Sequence, residues 1–238
     1  MPRRGTNGIV LAGRFKTRAV IFDYNGTVVD DEEFHCAAHQ EAMASIGITL
    51  TRDEYFTELA GLGEPLLIRS AAGLHQHALT DIEVAKLMEL RLRSYLRRVG
   101  QMLPIREAFG HYIAQLAGLV PLAIASGALE EEVETGLTTC GLRRFFDEVV
   151  TIEDVMHGKP DPETYVVTLA RLNARRSAPI HPHEVVVFED TSFGVEAAKS
   201  AGMTCIAVLG TVDKSRLEGA DLIIDGFRDE VLSPAISN

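Results

Sequence analysis

Six short apolar runs, each broken off by polar residues, constrain this chain more than any other feature. They are Ala19-Val20-Ile21-Phe22, Pro121-Leu122-Ala123-Ile124-Ala125, Val149-Val150, Val185-Val186-Val187-Phe188, Cys205-Ile206-Ala207-Val208-Leu209 and Leu222-Ile223-Ile224. Runs of this length and composition read as buried strands, the first turning sharply at Asp23-Tyr24-Asn25-Gly26-Thr27. Helix-like stretches lie between most of them, and strands alternating with helices imply βαβ units on a largely parallel sheet. The expected class is α/β, with a Rossmann-like parallel-sheet core.

Residues 30–103 break that alternation. No strand is legible there, and helix-start chemistry repeats: Asp30 with Glu33, Thr51 with Glu54 and Thr80 with Glu83 each set a capping oxygen three residues before a carboxylate. In the third of these helices Val84, Met88, Leu92, Tyr95, Leu96 and Val99 recur at helical spacing. Arg91, Arg93, Arg97 and Arg98 fall mostly elsewhere, so the apolar stripe reads as the packed face. A helical block inserted after the first strand divides the chain into a core of residues 17–29 and 104–238 and an all-helical, lid-like cap of residues 30–103. Nothing in residues 1–16 decides between a tail and a segment packed on the core.

Composition narrows the partners. Lys and Arg number 23 against 34 Asp and Glu, a formal charge of −11 with no dense basic tract, which argues against nucleic acid. No run approaches the ~18 apolar residues of a membrane helix and no leader-like stretch opens the chain, so a cytoplasmic protein without a membrane partner is expected. Cys36, Cys140 and Cys205 are far apart and odd in number, as expected of buried thiols in a reducing compartment.

Parallel sheets bind ligands beyond the carboxyl ends of their strands, so the polar residues that end the apolar runs belong together. They are Asp23, Ser126, Lys159 and the pair Glu189-Asp190. Alone, Ser126 is a turn residue and Lys159 a solvated loop cation. Jointly they supply a carboxylate nucleophile, a hydroxyl donor, a cation and a carboxylate pair able to hold a hard divalent ion. Mg²⁺ suits Asp23 with Asp190 better than it suits any His or Cys set. Phosphoryl transfer is the implied reaction, because its transition state spreads negative charge that a metal, a lysine and a hydroxyl stabilise.

Four ordered segments now carry a resemblance: Asp23-Tyr24-Asn25-Gly26-Thr27, Ala125-Ser126-Gly127, Gly158-Lys159-Pro160-Asp161-Pro162 and Phe188-Glu189-Asp190-Thr191-Ser192-Phe193-Gly194. Together they resemble the motifs of the haloacid dehalogenase superfamily, in its branch of small phosphatases and β-phosphoglucomutases with a helical cap. The resemblance implies that Asp23 forms an aspartyl-phosphate and that Thr27 positions the phosphate loop. It implies that Ser126, Gly127 and Lys159 bind the transferring phosphoryl group, with Lys159 also neutralising the carboxylates. Mg²⁺ would be held by Asp23, Asp190, Glu189 directly or through water, and the Asn25 carbonyl. The substrate class implied is a small phosphorylated metabolite such as a sugar phosphate, acted on by a monomer or homodimer.

The chain departs from that pattern at Asn25, where the family's phosphatases carry an aspartate that serves as acid to the leaving oxygen and base to the attacking water. An amide exchanges no proton at neutral pH, so a contribution of ~10²–10⁴-fold is missing or supplied otherwise. Three accounts stay open: an engineered trap of a phosphorylated state, a natural residue tolerated because the leaving group needs little protonation, or a catalytically weak or silent binder of phosphorylated metabolites. Phosphosugar mutase chemistry is a further alternative. Mutases of the family carry an arginine-bearing loop where this chain has Gly61-Leu62-Gly63-Glu64, and a glutamate would repel a second phosphate. Arg69 is the candidate to reach inward in its place. His35 matches a histidine often present near the cap hinge of this branch and faces either the cleft or a structural hydrogen bond. Lys86 and His157 read as surface residues.

Overall fold

The computed structural model describes residues 8–100, 103–174, 176–227 and 235–236. In chain order the elements are β1 (Ile9–Leu11), β2 (Phe15–Thr17), β3 (Ala19–Phe22), α1 (Glu32–Ala44), α2 (Arg52–Glu54), α3 (Glu64–Leu74), α4 (Asp81–Val99) and α5 (Phe109–Leu116). There follow β4 (Leu122–Ala125), α6 (Glu130–Thr139), β5 (Glu148–Val150), α7 (Glu163–Asn173), β6 (Val185–Glu189), α8 (Ser192–Ser200), β7 (Thr204–Val208), β8 (Leu222–Ile224) and β9 (Ala235–Ile236). A π-helical turn at Tyr55–Leu59 continues α2.

All six apolar runs form strands of one parallel sheet in the order β5-β4-β3-β6-β7-β8. Their side chains alternate between two cores. Val20 and Phe22 join Ile124, Phe188 and the residues of α5 on one face, while Ala19 and Ile21 join Ala123, Val187 and the residues of α7 and α8 on the other. Burial on both faces is why the strands read as unbroken apolar runs rather than as alternating ones. The Phe22 ring stacks on Phe188 at 5.1 Å and meets Phe109 edge-on at 5.3 Å, which anchors the central strand. The strand order reverses beside β3, so the carboxyl ends of β3, β4 and β6 open onto the crevice where such sheets take ligands.

Between β3 and β4 the chain forms α1 to α4, which bury their own cluster, including Cys36, Met43, Leu50, Ile68 and Leu87. Thr51 and Thr80 close capping boxes with Glu54 and Glu83 as expected. Asp30 does not: α1 starts after Asp31, whose carboxylate makes no cap bond, its Oδ2 accepting instead from the Tyr95 hydroxyl and the Asn25 amide. The packed face of α4 is also turned from the expected stripe. Val84, Leu87, Arg91, Ser94 and Tyr95 are buried, whereas Met88, Leu92, Leu96 and Val99 are half-buried, because carboxylates of α3 and α6 draw Arg91 inward.

Residues 9–17 form the hairpin β1–β2, and β9 pairs with β1. Ile9 and Leu11 enter the core beside α5. Ala12 and Gly13 turn with φ of 49° and 65°, and an alanine at the first of these positions gives no turn signal in sequence. Cys36 and Cys205 are buried thiols, while Cys140 is half-buried. Among the described residues no helix is long and apolar enough to cross a membrane.

Candidate active site

Asp23 leaves β3 with its N–H donating to the Phe188 carbonyl at 2.9 Å, so the sheet itself sets its position. Lys159, from the loop after β5, is buried and places Nζ 2.5 Å from both Asp23 Oδ1 and Glu189 Oε1. The Tyr165 hydroxyl, on α7, donates to the same Glu189 oxygen at 2.6 Å. Asp190 Oδ1 accepts from Thr27 Oγ1 at 3.3 Å, whereas its buried Oδ2 has no partner among the described residues. Gly26, at φ 73°, makes room for that oxygen: a Cβ there would lie 1.8 Å from it.

Burial pushes the Asp23 carboxyl up to about 7, with Lys159 pulling it down and Glu189 pushing it further up. Burial and the Asp23 and Glu189 carboxylates raise Asp190 well above the usual range. Burial also works against a charged Lys159, but the two carboxylates it touches raise its pKa and keep it an ammonium. Oxygens of Asp23, Glu189 and Asp190 lie within 4.8 Å of one another, with one lysine among three carboxylates. That excess of buried negative charge, with the orphan Asp190 oxygen, fits a hard divalent cation.

Ser126 is buried, and its Oγ accepts from the Ala128 N–H at 3.0 Å, which leaves its own hydrogen to donate. Gly127 lines the cleft together with Asp23 and Lys159. Thr27 faces Asp190 rather than the cleft.

A second cluster adjoins the first. The Asn25 amide nitrogen donates to Asp31 Oδ2 at 3.0 Å and Glu132 Oε1 at 3.2 Å, and lies 2.7 Å from His35 Nε2. The nitrogen faces these carboxylates because the amide oxygen would be repelled there. His35 Nε2 is also 2.9 Å from Glu132 Oε1. Desolvation disfavours the charged ring and Arg91 repels it, yet Glu132 and Asp31 outweigh both and raise His35 to about 10. Arg91, from α4, pairs with Glu132 on α6 through one nitrogen and with Glu64 on α3 through the other. His35, His39 and Glu64 have the spacing of a metal site, but Arg91 Nη2 stands among them, bonded to Glu64 and 3.0 Å from His35 Nδ1. The cation in that place is the guanidinium.

Sequence reasoning therefore brought Asp23, Asn25, His35, Gly127, Lys159, Glu189 and Asp190 to one cleft; Thr27 and Ser126 are buried and outside its lining, and Arg69 lies elsewhere. Arg69 is exposed and donates to Asp81 and to the Leu79 carbonyl, outside the cleft. Residues it missed are Glu132, Arg91, Asp31, Tyr95, His39 and Tyr165. Glu132 is the third of three consecutive glutamates and Arg91 one of four arginines on its helix, so composition alone gave no reason to single out either. His157 and Lys86 are exposed, as read.

The helical insertion closes over this edge of the sheet. Gly61, at φ 92°, lies so near the core that a Cβ would stand 2.4 Å from Thr191 Oγ1. The Glu64 N–H reaches the Gly127 carbonyl at 3.4 Å, and Arg216 donates to the Phe56 carbonyl at 2.8 Å. The cleft between them encloses about 50 Å³ of accessible space.

The doubly wound sheet and the polar groups at its strand ends define an α/β enzyme of the kind that binds ligands at a topological switch point. The family model of the haloacid dehalogenase-like hydrolases matches residues 20–208, and the chain belongs to that family and is an enzyme of it. It is 30% identical to the fructose-1-phosphate phosphatase YqaB of Escherichia coli, over 79% of this chain and 95% of that protein. It is 33% identical to the phosphorylated carbohydrates phosphatase of Thermotoga maritima, over 78% and 82%. The crystal structure of CbbY from Rhodobacter sphaeroides in complex with phosphate superposes with a TM-score of 0.75 at 26% identity, covering 88% of this chain and 94% of that one.

Proposed function

We propose that this protein is a Mg²⁺-dependent phosphatase of small sugar or polyol monophosphates, working through a phosphoryl group on Asp23. The observation that carries the reading is Lys159 Nζ bridging Asp23 and Glu189 at 2.5 Å each, buried at the carboxyl edge of the sheet. An Asp23 oxygen attacks phosphorus, the ester P–O bond breaks, and the leaving oxygen takes a proton from solvent water. Water then attacks the phosphoryl group, the Asp23 O–P bond is cleared, and inorganic phosphate leaves. Lys159, the Ser126 hydroxyl and the backbone at Gly127 bind the phosphoryl oxygens, with Thr27 holding Asp190 in place. Asp23, Asp190, Glu189 and the Asn25 carbonyl would hold Mg²⁺, which when bound supplies positive charge to the transferring group. Residues 30–103 act as the cap that excludes water, on the core of residues 17–29 and 104–238.

Asn25 favours a second reading, binding with weak or no turnover, since its amide is tied to Asp31 and Glu132 and carries no proton to give. The mutase alternative draws no support from the cap arginines: Arg69 points away, and both ends of the Arg91 guanidinium are held by Glu64 and Glu132. The test is phosphate release from a panel of small phosphate esters and acetyl phosphate, with and without Mg²⁺. Turnover lost on chelation and in Asp23→Ala is expected. Full activity of Asp23→Ala would refute the reading.

A further inference from the structure

The helical insertion presents to the cleft a carboxylate that is only half used. Glu64, 3% exposed at the start of α3, pairs its Oε1 with Arg91 and has it 3.2 Å from His39 Nε2. Its Oε2 is buried without a partner among the described residues, and Glu64 lines the same cleft as Asp23, Lys159 and Gly127. The side chain is not free to turn away. Arg91 holds it from one side and is itself fixed by Glu132, while His39 is set by its Nδ1, 2.9 Å from the His35 carbonyl. An acceptor buried and left unpaired is costly, and the cost is recovered when a ligand hydroxyl donates to it.

Charge points the same way. Glu32 and Glu64 line the cleft, and the guanidinium of Arg91 is already shared between Glu64 and Glu132. Among the described residues of that wall, the cationic groups Arg91 and His35 are both already paired with carboxylates.

We infer that Glu64 is the specificity residue for the leaving group: it accepts a hydrogen bond from a hydroxyl of the alcohol portion, selecting polyol monophosphates over simple alkyl phosphates and over bisphosphates. This rests on the phosphatase reading above. A site built around an acceptor for a substrate hydroxyl discriminates strongly against an analogue lacking it, because the buried acceptor then stays unpaired.

The test compares kcat/KM of the unmodified protein, with Mg²⁺, on glycerol 1-phosphate against propyl phosphate and on fructose 1-phosphate against fructose 1,6-bisphosphate. A preference of about 10²-fold for the first member of each pair is expected. Glu64→Leu, which removes the acceptor, should shrink the first ratio by at least ~10-fold, and Glu64→Gln, which removes the charge, should shrink the second by a similar factor. Circular dichroism identifies a variant that fails to fold, and the substrate ratios of the unmodified protein stand without it. Ratios near one in the unmodified protein, or equal losses on both members in folded variants, overturn the inference and leave the phosphatase reading intact. Absence of Asp23-dependent hydrolysis of all four probes overturns both.

Discussion

The sheet edge and the wall facing it are both buried and both crowded with carboxylates, but they are built differently. At the edge, Asp23 and Glu189 share one lysine, and an oxygen of the neighbouring Asp190 is left over. In the wall, Glu64 and Glu132 share Arg91, and Asp31 and Glu132 share the Asn25 amide and His35. The edge is short of positive charge, as suits groups that receive a cation and a phosphoryl group. The wall carries cations of its own among its carboxylates, with Asp31 Oδ1 and Glu64 Oε2 left without a partner among the described residues, as suits a scaffold that shapes a ligand. One region should therefore answer to mutation chiefly in rate, the other chiefly in stability and selectivity.

Asn25 sits where the two meet, and Asn25→Asp should break the distinction most. A carboxyl at this position restores a proton donor beside Asp23 and raises ester hydrolysis by ~10²–10⁴-fold. It also adds a third carboxylate beside Asp31 and Glu132, so the melting temperature should fall while the rate rises. A variant that gains neither rate nor instability would show that the amide is indifferent. Lys159→Ala should lower kcat/KM by ~10²–10³-fold, the loss typical of removing one preorganised stabilising donor, as measured by phosphate release.

Arg91→Met probes the wall. Removing the guanidinium strands Glu64 and Glu132, and urea denaturation should report a loss of ~3–5 kcal/mol. Acid should reach the same pair. Arg91 and His39 hold the Glu64 carboxyl down to about 2, against burial, which acts to raise it from its usual 4.5. A depressed folded pKa contributes stability that is whole above 4.5 and is lost as pH falls toward about 2. The shift corresponds to about 3 kcal/mol, and Glu64→Gln should flatten that part of the stability profile. The smallest expected effect is Thr80→Ala, which removes the capping oxygen of α4 on its exposed end and should cost ~1 kcal/mol in the same assay.

The edge was legible in sequence and most of the wall was not, for a physical reason. Strand ends in a parallel sheet converge wherever the strands lie, so Asp23, Lys159 and Glu189-Asp190 could be grouped from the breaks in six apolar runs. The wall is assembled from α1, α3 and α4 of the insertion and α6 of the core, and its contacts depend on how each helix is rotated. Arg91 shows this: helical spacing assigned it to the polar side, and two carboxylates distant in sequence turned it inward. Arg69 erred in the opposite direction, claimed outside by Asp81. The N-terminal hairpin escaped notice because Ala12 occupies a positive-φ position that ordinarily signals itself with Gly or Asn.

The central claim is that Asp23 carries the phosphoryl group. The most direct measurement is peptide mass spectrometry of the protein quenched in acid after brief exposure to acetyl phosphate and Mg²⁺. The account predicts one added phosphoryl group on the peptide containing Asp23, labile to hydroxylamine and lost in Asp23→Ala. Phosphate release proceeding in Asp23→Ala at the rate of the unmodified protein, with no adduct on that peptide in either, would contradict it.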